Sequence, residues 1–122
     1  MLNMTEAMIY AMGAPGAVAT AFVEFKTARA VAGIGNEHVD FDSVTPTWTE
    51  MLLAMMSLGD ESTAPDSVND IVITVGSRHH LLRPLRAKNC SDMYLYLVVD
   101  KVEGSIPMAR LHLSSVERSL EL

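Results

Sequence analysis

The first apolar residues of the chain follow a helical repeat. Met4, Met8 and Ala11 recur at steps of four and three, so they share one face of a short predicted helix. Asn3 and Glu6 have the spacing of a capping box, in which each side chain bonds the other residue's backbone. A glycine and a proline follow these residues, and we expect them to end the helix.

Two extended segments come next. Residues 17–25 form a continuous run of mostly small, β-branched and aromatic side chains, which favours a buried strand. Lys26 and Thr27 are predicted to turn the chain into a second strand at residues 28–34. This turn has neither the glycine nor the asparagine that tight hairpins favour.

A longer apolar pattern follows a polar loop and ends at Leu58. Asp42, Ser43 and Thr45 are candidate caps, and Pro46 stands where a first helical turn tolerates proline. The apolar residues cover more than half of the predicted helix circumference, which is more than one sheet needs. We therefore expect either a helix covered by its own sheet and by a second body, or a fully internal core helix. These apolar residues are Trp48, Met51, Leu52, Leu53, Met55, Met56 and Leu58.

An acidic loop at residues 59–70 precedes a predicted hairpin. Residues 71–75 form a strand, and Gly76-Ser77 is a two-residue turn signal with glycine first. Pro84 ends the second strand or confines its tail to a position that needs no N–H. This turn pairs Ile71 with Leu82, Ile73 with His80, Thr74 with His79, and Asp70 with Arg83 as an opposite-charge pair.

The C-terminal part contains the best candidate for a central strand, the apolar run at residues 93–99. Ser105 and Pro107 then begin a last predicted helix. The order helix, two strands, helix, three strands, helix indicates an α+β fold, a three-layer sandwich around one five-stranded sheet. The apolar face of the last helix consists of Ala109, His112, Leu113, Val116 and Leu120.

Size and charge narrow the class of protein. With 122 residues and 13.3 kDa the chain fits one domain, residues 1–122. The formal net charge of -6 argues against a nucleic-acid partner, because phosphate backbones need a basic surface. A local basic cluster is either a small basic face or a solvated hairpin end. It consists of Arg78, Arg83, Arg86 and Lys88.

The sequence also indicates a compartment. Cys90 is the single cysteine and cannot form an internal disulfide, which fits a reducing environment. The N-terminus has no positive charge ahead of its apolar residues, unlike a signal peptide. No window approaches the roughly 20 apolar residues of a membrane span. We therefore expect a cytoplasmic protein that does not insert into membranes.

The four histidines do not have the spacing of a metal site. His79 and His80 are neighbours on a predicted strand, so their side chains point to opposite faces. His38 and His112 lie in a predicted loop and a predicted helix, with no paired cysteines to complete a ligand set. We expect no metal and no other cofactor.

Catalytic patterns are missing as well. The sequence contains no nucleophile elbow, P-loop or dinucleotide fingerprint, and Cys90 has no histidine at a diagnostic spacing. Two carboxylate pairs, Asp40 with Asp42 and Asp60 with Glu61, lie in predicted loops as solvated charges. We therefore expect a protein that is not an enzyme.

The strand at residues 70–75 has neither lysine nor proline to protect it at a sheet edge. A second copy can cover it, because a two-fold axis places the strand antiparallel to itself and the helix of Trp48 beside its twin. We therefore expect a homodimer. The predicted interface consists of Trp48, Met51, Leu52, Met55, Ile71, Ile73 and Val75.

Four stretches of the chain resemble the roadblock, or dynein light-chain seven, domains of bacteria. They are GAVATAFVEF, DIVITVGSRHHLLRPLR, MYLYLVVDK and SIPMARLHLSSVERSL, and the order of elements is similar to the family along essentially the whole chain. The family usually has a glycine near Thr27 and Ala28, which this sequence lacks.

The resemblance implies an antiparallel sheet in the order 2-1-5-4-3, with the first and last helices on one face and the middle helix on the other. It also implies dimers through the third strand, at an edge, and the middle helix. Because such domains commonly regulate or scaffold small Ras-like GTPases, we expect a non-catalytic dimeric domain that acts on one. The alternative is a small-molecule sensor, in which His79 or His80 would meet Tyr94 or Tyr96 in a pocket between layers.

Overall fold

Three helices and five strands make up the fold in a computed structural model, which describes residues 1–36, 39–61, 68–87 and 89–120. The strands form one antiparallel sheet in the order β2-β1-β5-β4-β3. This order confirms the expected topology. In chain order the elements are α1 (Met4–Ala11), β1 (Ala17–Glu24), β2 (Arg29–Gly35), α2 (Phe41–Glu61), β3 (Ile71–Val75), β4 (Arg78–Pro84), β5 (Met93–Asp100) and α3 (Ile106–Ser119).

The sheet separates two apolar clusters, because side chains alternate along its central strands. On β5, Leu95 and Leu97 face α1 and α3, whereas Tyr94 and Tyr96 face α2. The three-layer sandwich is therefore confirmed, with two helices on one face and one on the other. Within the described residues, no helix is both long enough and apolar enough to span a membrane.

The predicted start of α1 is confirmed, and the first hairpin differs from its prediction. The Asn3 side chain accepts a hydrogen bond of 2.8 Å from the backbone N–H of Glu6, and the Glu6 carboxylate accepts one of 3.1 Å from the backbone N–H of Asn3. The β1–β2 loop is longer than a Lys26-Thr27 turn, and β2 begins at Arg29. Ala28 closes the loop with a φ of 59°, the left-handed conformation that glycine adopts without strain.

Helix α2 begins at Phe41, ahead of all three of its candidate caps. Asp42 and Ser43 lie in its first turn instead of capping it, and Pro46 lies inside the helix. The additional turn forms because Phe41 packs against the sheet, with its ring 6.1 Å from that of Tyr96. The helix also extends beyond Leu58 to Glu61, so the predicted loop at residues 59–70 begins too early.

The β3–β4 hairpin has the predicted register. Ile71 pairs with Leu82, Ile73 with His80, and Thr74 with His79. Gly76 has a φ of 60° and Ser77 does not share this conformation, as a turn with glycine first requires.

The predicted pair of Asp70 with Arg83 is wrong. The Asp70 carboxylate lies 3.1 Å from Nε of Arg110, and Nε of Arg83 lies 2.9 Å from the Glu117 carboxylate. Asp70 precedes the first residue of β3, and α3 presents a residue of opposite charge to each side chain. The packed helix therefore competes successfully with the neighbouring strand for both charges.

Candidate interaction surface

Strand β3 lies at one end of the sheet, with no strand beyond it in the part of the chain that the structure describes. Ile71 and Ile73 are half-buried and pack against the cluster beneath α2. Val75, at the end of the strand, is 55% exposed. The edge therefore combines unpaired backbone with a partly exposed apolar surface, which soluble proteins normally protect.

Two of the predicted interface residues belong to the core of this chain. Leu52 is fully buried, with 0% of its surface exposed, and Trp48 is nearly so. Both pack beneath α2 in the cluster that includes Tyr94 and Tyr96. They support the helix from behind, and their side chains face the protein's own sheet.

Met51 and Met55 leave the core and face solvent, and Met55 is 46% exposed. Leu58 continues their row by one more helical step and is also exposed. Its place in the apolar repeat was the sequence signal for this residue, which the predicted interface omitted. We call Met51, Met55 and Leu58 the outer stripe of α2.

The ring of Trp48 shows where the middle of α2 lies over the sheet. The Trp48 ring stands 5.2 Å from the ring of His80 on β4, the strand next to β3. Met51 and Met55 follow Trp48 by three and seven residues, so they lie on the flank of the helix next to the buried Trp48. The outer stripe therefore borders a buried residue that contacts the strand next to the β3 edge.

A buried hydrogen-bonded network joins α2 to the sheet beneath this surface. The Trp48 indole N–H donates to the Tyr96 hydroxyl over 3.2 Å. That hydroxyl lies 2.7 Å from Nδ1 of His80. Because an indole can only donate, the Tyr96 hydroxyl is left with its own proton to give to His80.

The electrostatic environment keeps this network neutral. Burial raises the pKa of Tyr96 to about 12, partly offset by the Trp48 hydrogen bond. Burial, followed by the nearby charges of Arg78 and His79, lowers the pKa of His80. A neutral imidazole with a free lone pair on Nδ1 is the form that accepts from Tyr96. These hydrogen bonds between neutral groups therefore fix the position of α2 on the sheet.

The structure does not join these residues in the pocket that a sensor would require. His79 lies on the other face of β4, where Nδ1 is 2.6 Å from the Thr74 hydroxyl. His80 and Tyr96 bond each other, and the Tyr94 hydroxyl lies 2.9 Å from that of Thr49. Within the described ranges, no group of three or more His, Cys, Asp or Glu side chains has a geometry that could hold a metal ion.

The basic cluster of the sequence is largely tied to its surroundings. Arg83 pairs with Glu117, and Arg86 donates to the Val68 carbonyl over 2.9 Å and to Asn69 over 3.1 Å. Together with the pair of Asp70 and Arg110, these bonds line or border an open groove of about 760 Å³ between α3 and the approach to β3. The arginines thus hold the chain that leads into the edge strand. Lys88 lies outside the described residues.

Comparison with known proteins identifies the fold. No protein-family model matches the chain, and no curated protein sequence does. The roadblock/LC7 domain from Streptomyces avermitilis superimposes with a TM-score of 0.77 at 10% identity, over 97% of this chain and 94% of that one. MglB from Myxococcus xanthus superimposes with a TM-score of 0.73 at 13% identity, over 94% of this chain and 91% of MglB. MglC from the same organism superimposes with a TM-score of 0.55 at 18% identity, over 91% of this chain and 89% of MglC. The chain therefore has the roadblock/LC7 fold, as its sequence resemblance implies.

Proposed function

We propose that this chain is a single cytoplasmic domain, a non-catalytic homodimer that regulates or scaffolds a small Ras-like GTPase. The observations that support the dimer most directly are the exposed outer stripe of α2 and the open β3 edge. Exposed hydrophobic features of this kind on a small domain support a protein-protein interface.

The proposed dimer pairs β3 with β3 of a second copy, antiparallel about a two-fold axis. Ile71, Ile73 and Val75 contribute the edge backbone, and the outer stripes of the two α2 helices meet above it. Trp48 and Leu52 support the interface from within each subunit. Such an interface needs to bury about 1,200–2,000 Å² in total, which a strand and a helix from each copy can supply.

The GTPase partner is proposed from the resemblance to roadblock domains, which commonly act on small Ras-like GTPases. The structural neighbour MglB has been solved with a tetrameric arrangement, so a chain of this fold can self-associate. The neutral, mutually bonded Trp48, Tyr96 and His80 supply no activated acid or base. This supports a role through binding.

Sedimentation of paired variants tests the dimer. Met55→Lys places a charge in the outer stripe, and we expect a monomer at micromolar concentration. Leu53→Lys is the matched control, because Leu53 is also 46% exposed but lies on the other flank of α2. A monomeric wild type, or equal dissociation by both variants, contradicts the proposed dimer.

A second assay tests the GTPase partner. Each small Ras-like GTPase encoded by the source genome is loaded with nucleotide, and its GTP hydrolysis and nucleotide release are measured with and without the protein. Binding is followed in parallel by size-exclusion chromatography. We expect one such GTPase to co-elute with the dimer. Failure of every GTPase to bind or respond contradicts this partner while leaving the dimer in place.

A further inference from the structure

Strand β2 leaves the opposite edge of the sheet open. In the described part of the chain no strand lies outside β2, and neither lysine nor proline occurs between Arg29 and Gly35. Most of its side chains are small, so they leave room for another backbone to approach. Val31 is the additional residue of a bulge opposite Phe22 and Val23, and it is 51% exposed. The strand thus presents backbone together with one apolar anchor.

A groove of about 320 Å³ runs beside this edge. One wall is β2 from Ala30 to Gly33, and the other is the segment from Val39 to Asp42 that enters α2. The Phe41 ring fixes the floor: a Cβ added to Gly33 would meet its Cε2 atom at 2.6 Å. Glycine at this position therefore lets the ring close over β2, which makes the groove part of the packed fold.

The charge of the residues beside β2 favours one kind of binding partner at this edge of the sheet. Asp40 and Asp42 are exposed on the wall of the groove, and the chain has a net charge of -6. A second copy paired through β2 would bring two sets of these carboxylates together and would be repelled. A basic segment would be attracted, and Arg29 at the end of β2 is the one cation within that strand.

We propose that β2 binds an extended, basic segment of a partner protein by strand addition. The backbone of the segment pairs with β2, and its lysine or arginine side chains on one face lie against Asp40 and Asp42. Recognition of this kind takes affinity from the main chain and specificity from alternate side chains. This site is independent of the proposed dimer, which uses the opposite edge of the sheet.

The probe is a blocked synthetic peptide of about eight residues in which valine and lysine alternate, an extended pattern. A second peptide has glutamate in place of lysine, and a third has N-methyl groups on alternate backbone nitrogens. Binding to the full chain is measured by fluorescence anisotropy, and its position by NMR amide shifts and hydrogen exchange. We expect the lysine peptide alone to bind, with slower exchange in β2.

Variants separate the edge from general electrostatic attraction. Asp40→Asn with Asp42→Asn should weaken binding of the lysine peptide about threefold to tenfold, as expected for two exposed charge pairs. Glu50→Gln with Glu103→Gln removes the same charge from two other exposed positions and should leave binding unchanged. Val31→Lys should abolish binding, because it adds a cation to the exposed edge.

Four results would each overturn the proposal. The first is the absence of binding at about millimolar peptide, which marks the weak limit of specific affinities. The second is equal binding of the glutamate peptide, and the third is an equal loss of peptide binding in the two double variants. The fourth is a set of amide shifts centred on β3. Slower exchange in β2 at high protein concentration without peptide, lost in Val31→Lys, would assign the edge to a second copy and would also overturn it.

Discussion

Tyr96 and His80 stack on adjacent strands and share a hydrogen bond. Their rings lie 5.9 Å apart with 12° between their planes, and the Tyr96 hydroxyl is 2.7 Å from Nδ1 of His80. The same hydroxyl accepts from Trp48 on α2. One buried oxygen therefore holds β4, β5 and α2 in a common arrangement behind the proposed interface.

Removal of this oxygen should destabilise the fold. Tyr96→Phe leaves the Trp48 N–H and the His80 Nδ1 without their shared partner, and we expect a loss of about 1–3 kcal/mol in the free energy of unfolding. Urea denaturation measures this loss. Tyr10→Phe alters a half-exposed tyrosine and should stay within about 0.5 kcal/mol of the wild type. Equal effects of the two variants would contradict a structural role for the network.

Stability should fall as pH decreases below the ordinary pKa of histidine. The folded protein lowers the pKa of His80 from 6.5, so in the window below 6.5 the unfolded chain binds the proton more readily. The stabilisation is present above 6.5 and is lost as pH falls toward the folded value. Urea midpoints between about pH 5.5 and 8 should show this slope. His80→Gln should flatten it, and an unchanged slope would contradict the assignment.

The first hairpin contains a position where glycine should be better than alanine. Ala28 has a φ of 59°, which strains an L-amino acid. We expect Ala28→Gly to raise the free energy of unfolding by about 0.5–1 kcal/mol, since relief of strain exceeds the added freedom of the unfolded chain. Ala32→Gly, in β2 without a positive φ, should lower it by about the same amount. Destabilisation by both changes would contradict the left-handed conformation.

Gly16 and Gly76 both have a positive φ, so alanine substitutions at the two positions distinguish steric overlap from backbone strain. A Cβ on Gly16 would lie 2.6 Å from the backbone nitrogen of Gly104, whereas a Cβ on Gly76 meets no atom within 4 Å. Both would share the strain of a positive φ, which is about 1–2 kcal/mol. We therefore expect Gly16→Ala to reduce stability by more than Gly76→Ala does. Similar thermal midpoints for the two variants would show that the contact with Gly104 relaxes freely.

A double-mutant cycle distinguishes the observed ion pair from the one predicted by the hairpin register. Asp70 and Arg110 should couple by about 0.2–1 kcal/mol, because Arg110 remains half exposed and solvent screens the pair. Asp70 and Arg83 should show no favourable coupling. The reverse result would restore the sequence-based pairing.

Features with a local physical cause were predictable from the sequence. The capping box of Asn3 and Glu6 and the Gly76-Ser77 turn depend on nearby residues, and both were predictable. The turn also sets the β3–β4 register, since a two-residue loop leaves one way to pair the strands. The strand order came from the family resemblance, because alternation along a strand does not identify its neighbours.

The packing of helices on the sheet sets which surface covers each apolar or charged side chain. Trp48 and Met55 belong to the same helical repeat, yet one lies in the core and the other faces solvent. The apolar repeat shows only that these side chains avoid water. It does not show whether the chain's own sheet or a second protein covers them. In the same way, Asp70 pairs with Arg110 because α3 packs beside it. The two residues are 40 positions apart in the sequence, so no local pattern predicts the contact.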